Sequence, residues 1–208
     1  MEPGFWRDRW AEGKIGFHEG HPNVFLTKHL AALPGTRILV PLCGKTEDMA
    51  YLAAHGKRVI GVELVEDAVA AFFAEHEITP KVTTFGDLRL YNADDITIIA
   101  GDWFSVTAEL VGTVDAIYDR AALIALPLDL RAKYVAQLRT LVTLGTRGLL
   151  ITCDYDASKF TAPPHPVPDA EVRALYDAAE LLEEGPLVGG RLAEANIGAI
   201  ERCYSVRL

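Results

Sequence analysis

Arg37-Ile38-Leu39-Val40-Pro41-Leu42-Cys43-Gly44-Lys45, followed by Arg58-Val59-Ile60-Gly61-Val62-Glu63, is the stretch that decides the fold. Each segment carries a short continuous apolar run, the mark of a strand buried on both faces. Between them, residues 45–55 have helical spacing through Met49, Leu52 and Ala53 and stop before Gly56, a suitable C-cap. Strand, helix, strand in that order is a parallel crossover unit.

The pattern repeats in both directions. A helix over 66–76 places Val69, Phe72 and Phe73 on one face, and strands follow at 96–100 and 114–118. A helix over 128–141 has Leu130, Tyr134, Leu138 and Leu141 as its stripe, and 148–153 reads as another strand. Pro-rich 162–168 reads as a loop, with Asp169 as N-cap of a helix over 169–179. The run 180–184 reads as an exposed strand or sheet edge, and 200–206 as a terminal antiparallel strand. Pro22 opens a helix that runs to about Leu33 within an N-terminal extension. The expectation is one α/β domain over 1–208, with a mostly parallel sheet, helices on both faces and an antiparallel edge strand.

Composition sets the outer bounds. A chain of 208 residues, 50% hydrophobic and 24% charged, has globular rather than disordered or collagen-like composition. The net charge of -9 argues against nucleic acid as a partner, because neutralising phosphates needs a basic surface. Cys43, Cys153 and Cys203 are too few and too scattered for a disulfide framework and suit a reducing compartment. No apolar run of about 18 residues is present, and the first residues lack the apolar core of a signal peptide. A cytoplasmic monomer with neither membrane nor nucleic-acid partner is expected.

Ligands of an open parallel sheet bind at the carboxyl ends of its strands. Gly44 allows close backbone approach in the first turn. Glu63, about 20 residues after that turn, ends the second strand where an acidic side chain accepts from ribose hydroxyls. A solvated strand-end carboxylate is the competing reading. The glycine-rich turn that cradles a pyrophosphate is missing, which weakens pyrophosphate binding but not binding of a nucleoside without phosphates, such as S-adenosylmethionine. Asp102 and Trp103 follow a third strand, suited to an adenine amine and an adenine face, with Trp103 as plain core the alternative. Phe5, Trp6, Trp10 and Phe17 form an aromatic start able to face a sulfonium cation, or simply a stripe packed on the sheet. His18 and His21 lack a third partner at metal-ligand spacing, and Cys43 lacks a base, so no metal and no cysteine nucleophile are expected.

Several segments together resemble the thiopurine S-methyltransferase family of S-adenosylmethionine-dependent methyltransferases. They are Phe5-Trp6-x-x-Arg9-Trp10, Ile15-Gly16-Phe17-His18 and Val40-Pro41-Leu42-Cys43-Gly44-Lys45, then Gly61-Val62-Glu63-Leu64, Phe72-Phe73 and Tyr118-Asp119-Arg120-Ala121-Ala122-Leu123. The resemblance holds from about residue 5 to 155 and continues through Val167-Pro168, whereas 185–199 is short and glycine-rich relative to the family. It implies a Rossmann-like class I methyltransferase sheet of seven strands with residues 1–35 as a lid. It implies that Trp10 closes over the cofactor, Leu42 lines its methionine side, Glu63 holds the ribose, and Asp102 and Trp103 lie in the adenine region. Arg120 is implied near the transferred methyl and the acceptor, and Phe17 facing the acceptor. The implied reaction is methyl transfer to a small thiol, selenium or tellurium nucleophile. Arg120, always charged, would favour an anionic acceptor. Asp119 either orients Arg120, assists proton loss, or caps the strand end. Rival readings are a halide, thiocyanate or thiol methyltransferase of the same fold, or an idle nucleoside-binding module.

Overall fold

The computed structural model describes residues 3–13, 18–161 and 163–208. Helix α1 spans Pro3–Ala11 and α2 Val24–His29; a 3-10 turn at Leu30–Ala32 then leads into β1, Arg37–Pro41. Next come α3 (Glu47–Ala54), β2 (Arg58–Glu63) and α4 (Glu66–Glu75). A hairpin of β3 (Lys81–Phe85) and β4 (Leu88–Ala93) precedes β5 (Ile96–Ala100) and α5 (Ala108–Val111). The chain continues through β6 (Ala116–Arg120), α6 (Ala122–Ala125), α7 (Leu128–Leu141) and β7 (Arg147–Asp154). It closes with α8 (Asp169–Leu175), β8 (Ala178–Pro186), α9 (Gly190–Glu194) and β9 (Ile200–Arg207).

All the described strands join one sheet in the order β3-β4-β5-β2-β1-β6-β7-β9-β8. The centre, β5 to β7, is parallel, and β3, β4, β9 and β8 run antiparallel to their neighbours. The expected α/β architecture is present, but the sheet has nine strands rather than seven. The terminal strand is antiparallel as expected, yet it lies inside the sheet, and β8 forms the edge beyond it. The hairpin was unread because β3 is exposed along its whole length and carries no burial pattern. The helix from Asp169 ends at Leu175, with Pro168 as its N-cap, because β8 begins at Ala178. The helix placed after Pro22 starts at Val24, where Asn23 accepts from the Phe25 N–H.

Side-chain alternation divides the core in two. Leu39, Ile60, Val62, Ile117 and Leu150 face Tyr134, Leu138, Val172 and Tyr176 of the α7–α8 layer. Ile38, Val40, Ile98, Tyr118 and Ile151 face Leu26, Met49, Leu52 and Phe72 of the α2–α4 layer. No described helix is long and apolar enough to cross a membrane.

Close strand contact makes one glycine obligatory. A Cβ on Gly148 of β7 would lie 2.9 Å from the Ile117 carbonyl oxygen and 3.1 Å from the Ile117 Cβ. Backbone cannot yield as a side-chain tip does. Gly148→Ala is therefore expected to lower stability by about 1–3 kcal/mol, the usual cost of overpacking. Urea unfolding reads this directly, and an unchanged midpoint would contradict it.

Candidate active site

A cavity of about 440 Å³ opens at the carboxyl ends of the parallel strands. That volume suits a small-molecule site. Trp10, Leu42, Gly44, Glu63, Asp102, Trp103 and Arg120, drawn from separate parts of the chain, all line it. Phe17 lies outside the described residues.

At one end, β1 turns through Leu42 (φ 47°) and Gly44 (φ 54°), both left-handed. A non-glycine residue held there is a strained position of the kind that clusters at functional sites. Ala121 (φ 67°), after β6, is a second such cavity residue. Glu63 is not a solvated carboxylate. It is buried, its Oε2 accepts from the Gly44 N–H at 2.7 Å, and its Oε1 from the Val65 N–H at 2.8 Å. Burial raises its pKa against the lowering pull of the Val65, Gly44 and Leu64 amides. The Trp10 ring lies over Gly44, where an added Cβ would sit 3.4 Å from its Cζ2. Cys43 beside it is buried, with its thiol pKa pushed well up by burial, a packing residue as expected.

Asp102 stays exposed at the rim and accepts from the Phe104 N–H at 3.1 Å. Trp103 is mostly core: it is 5% exposed, and its ring centroid lies 5.3 Å from that of Tyr134. Its Nε1 has no hydrogen-bond partner among the described residues, and the same holds for Thr152 Oγ1 and Arg9 Nε. All three residues line the cavity. Buried polar atoms are normally paired, so these are open for a ligand.

At the other end sits Arg120, with its side chain 11% exposed. Its Nη2 lies 2.7 Å from Glu19 Oε2 and its Nη1 3.8 Å from Asp48 Oδ2. Asp48 is fully buried and accepts from the Tyr118 hydroxyl at 2.8 Å and the Asn23 backbone N–H at 2.7 Å. Glu201 joins this group from β9 and takes a long 3.5 Å contact from Asn23 Nδ2. Its pKa is pushed up to about 7 by burial, against the pull of Arg120. Sequence reading missed Glu19, Asp48 and Glu201. Asp48 looks like an ordinary first-turn helix acid, and Glu201 enters only through the strand register.

Asp119 is turned away from this group. Successive residues of a strand point to opposite faces, so Asp119 of β6 enters the α7–α8 layer while Arg120 enters the cavity. It is 1% exposed, and its Oδ2 accepts from the Tyr134 hydroxyl at 2.6 Å and the Tyr176 hydroxyl at 3.4 Å. The expectation that it orients Arg120 or serves the reaction is corrected on that ground. It anchors the end of β6, where the Leu123 and Ala122 amides also favour its ionised form.

His21 is exposed, and its Nδ1 contacts the Pro22 carbonyl oxygen. His18, Glu47 and Glu75 gather within 4.8 Å of one another, with the Lys45 ammonium already on Glu75 at 2.5 Å.

Comparisons with known proteins give the family and the fold. The family model described as thiopurine S-methyltransferase matches residues 1–188. A protein of Pseudomonas entomophila named thiopurine S-methyltransferase is 44% identical, with 98% of each chain covered. Among solved structures, a SAM-dependent methyltransferase of Anabaena variabilis superposes with a TM-score of 0.68 at 15% identity, covering 99% of this chain and 94% of that one. A Burkholderia thailandensis 1,6-didemethyltoxoflavin-N1-methyltransferase, with S-adenosylhomocysteine bound, gives 0.63 at 16% identity, over 99% and 86% of the two chains. The two solved structures show the shared fold.

Asp119 gives a stability prediction. Burial raises its carboxyl from 3.8 to about 6. The folded chain therefore binds this proton more tightly than the unfolded one, and the ionised group burdens the fold above pH 6 but not below 3.8. Relative to Asp119→Asn, wild-type stability should fall by up to about 3 kcal/mol as pH rises from 4 to 6.5. Denaturant titrations across that range test it. A difference that stays flat with pH would refute the raised value.

Proposed function

We propose, since the chain belongs to the thiopurine S-methyltransferase family, that its cavity holds S-adenosylmethionine across β1, β2 and β5 and a small sulfur nucleophile against Arg120. The chain is an S-adenosylmethionine-dependent methyltransferase of one α/β sheet. The observation that supports the residue assignment is the convergence of Trp10, Leu42, Gly44, Glu63, Asp102, Trp103 and Arg120 on one cavity.

These residues fit the cofactor. Each Glu63 oxygen accepts one backbone N–H and retains a lone pair for a ribose hydroxyl. Trp6 and Trp10 offer aromatic faces to a sulfonium, and Leu42, Ile124 and Leu126 supply apolar wall. The unpaired Trp103 Nε1 and Thr152 Oγ1 await partners. When bound, the cofactor supplies an electrophilic methyl group for in-line displacement.

The chain's own work is then placement. Holding two reactants in line contributes roughly 7–11 kcal/mol in favourable intramolecular cases. Trp10, on the lid of residues 1–35, covers the first turn and excludes water. Arg120 favours an anionic sulfur, and such an acceptor exchanges places with the Glu19 carboxylate now on it. Thiopurines and other acidic thiols are the acceptors that fit, with selenium and tellurium nucleophiles as softer relatives. The chain acts as a monomer in a reducing compartment, consistent with its free cysteines Cys43, Cys153 and Cys203.

A labelled-methyl assay against thiopurine, thiol, selenite, tellurite and halide acceptors tests the reading. Thiopurine and thiol products are expected, and a product from halide alone would overturn it. Arg120→Gln should lower kcat/KM for anionic sulfur acceptors roughly 10–150-fold, the worth of a hydrogen bond to a charged group. An unchanged kcat/KM would remove Arg120 from the reaction.

Glu63→Ala should weaken cofactor binding at least about tenfold and also lower stability by about 1–3 kcal/mol, because two buried amides lose their acceptor. Calorimetry showing equal affinity would end the ribose assignment. An unchanged unfolding midpoint would end the structural one.

A further inference from the structure

The Arg120 end of the cavity holds more negative than positive charge. Glu19, Asp48 and Glu201 share the single guanidinium. Glu19 holds it at 2.7 Å. Asp48 has the Tyr118 hydroxyl and the Asn23 amide. Glu201 is the least compensated, with only the 3.5 Å Asn23 contact among the described hydrogen bonds.

Register explains its position. β9 runs antiparallel to β7, with Cys153 opposite Glu201 and Ile151 opposite Cys203. The start of β9 therefore falls at the carboxyl edge of the parallel strands. Paired residues share a face, and Cys203 and Ile151 lie on the α2–α4 side with Tyr118. By alternation Arg120 and Glu201 lie on that side too, and both line the cavity.

We propose that Glu201 is the general base that takes the proton from a thiol acceptor as its sulfur attacks the methyl carbon. The inference rests on the methyl-transfer reading above. The S–H bond breaks and leaves its electron pair on sulfur, while the proton passes to the Glu201 carboxylate. That sulfur forms the new bond to the methyl carbon, the bond from this carbon to the cofactor's sulfur breaks, and its electron pair stays there. The proton then leaves to solvent.

The groups facing Glu201 set its poise. Arg120 of β6 lowers its proton affinity, and Glu19, before α2, and Asp48 of α3 raise it. Tyr118 of β6, Cys153 of β7 and Cys203 of β9, all with pKa values raised, stay neutral. The result is a carboxyl near 7, where a general base is most effective.

Two acceptors and one direct titration test this. One acceptor is an acidic aryl thiol, ionised at assay pH, and the other an alkane thiol with a pKa near ~8.5. Glu201→Gln is expected to lose at least about tenfold in kcat/KM on the alkane thiol, as general bases contribute roughly 100-fold or more. Its rate on the ionised aryl thiol should stay within about twofold, and Glu201→Asp should recover part of the alkane-thiol rate. Carboxyl 13C NMR of the protein without cofactor should show a signal titrating near 7 that Glu201→Gln removes. Equal losses on both thiols, no loss on either, a misfolded Gln variant with no such wild-type signal, or absence of that signal alone would each overturn the assignment. If the wild-type chain methylates neither thiol, the methyl-transfer reading falls first, and the Glu201 role falls with it.

Discussion

The hydrogen bond from the Gly44 amide to the Glu63 carboxylate, at 2.7 Å, is the constraint on which the site depends. It ties the turn after β1 to the end of β2, and the second oxygen ties the start of α4 through Val65. Without it, Leu42 and Gly44 would have little reason to hold left-handed backbone angles, and Trp10 would lose the flat surface beneath its ring. Burying a carboxylate is costly unless its oxygens are satisfied. Two backbone amides offset part of that cost, and each oxygen keeps a lone pair for a ligand.

A different solution holds at the Arg120 end. There three carboxylates crowd one guanidinium, although the whole chain carries a net charge of -9. Arg120 is the residue expected to favour an anionic acceptor. Its charge is in fact already answered by Glu19, so an incoming anion gains only the difference between two ion pairs. On the proposed reading, selectivity for acidic acceptors would come from geometry and desolvation more than from net positive potential.

Much of this was legible in the residues. The continuous apolar strands and the helices between them gave the parallel centre, and the 180–184 run did prove to be an edge strand, β8. The cavity wall at Leu42, Gly44 and Glu63 followed from strand ends and local turn chemistry, which are short-range properties. What stayed hidden depended on long-range pairing. In the hairpin, β3 is exposed along its whole length and β4 fully buries only Leu88 and Tyr91, three residues apart, so neither shows a strand alternation. Asp119 and Arg120 are neighbours in sequence, and only the extension of β6 to Arg120 shows that alternation sends them to opposite layers. Trp103 satisfied both of its readings in part, packed on Tyr134 yet contributing an unpaired Nε1 to the cavity.

The placement of β9 accounts for a division of labour along the chain. A parallel strand can offer only its last residues to the carboxyl edge, as β2 does with Glu63 and β6 with Arg120. An antiparallel strand offers its first residues there instead, which is how Glu201 meets side chains from the first half of the chain. The proposed cofactor end is built from turns that also tie β1 to β2, so its residues are constrained twice. The proposed acceptor end draws on the tail through Glu201, near the start of β9. On that proposal, changes in the segment around 185–201 would act on the acceptor end, while the clasp between Glu63 and Gly44 is made by residues of the first half of the chain.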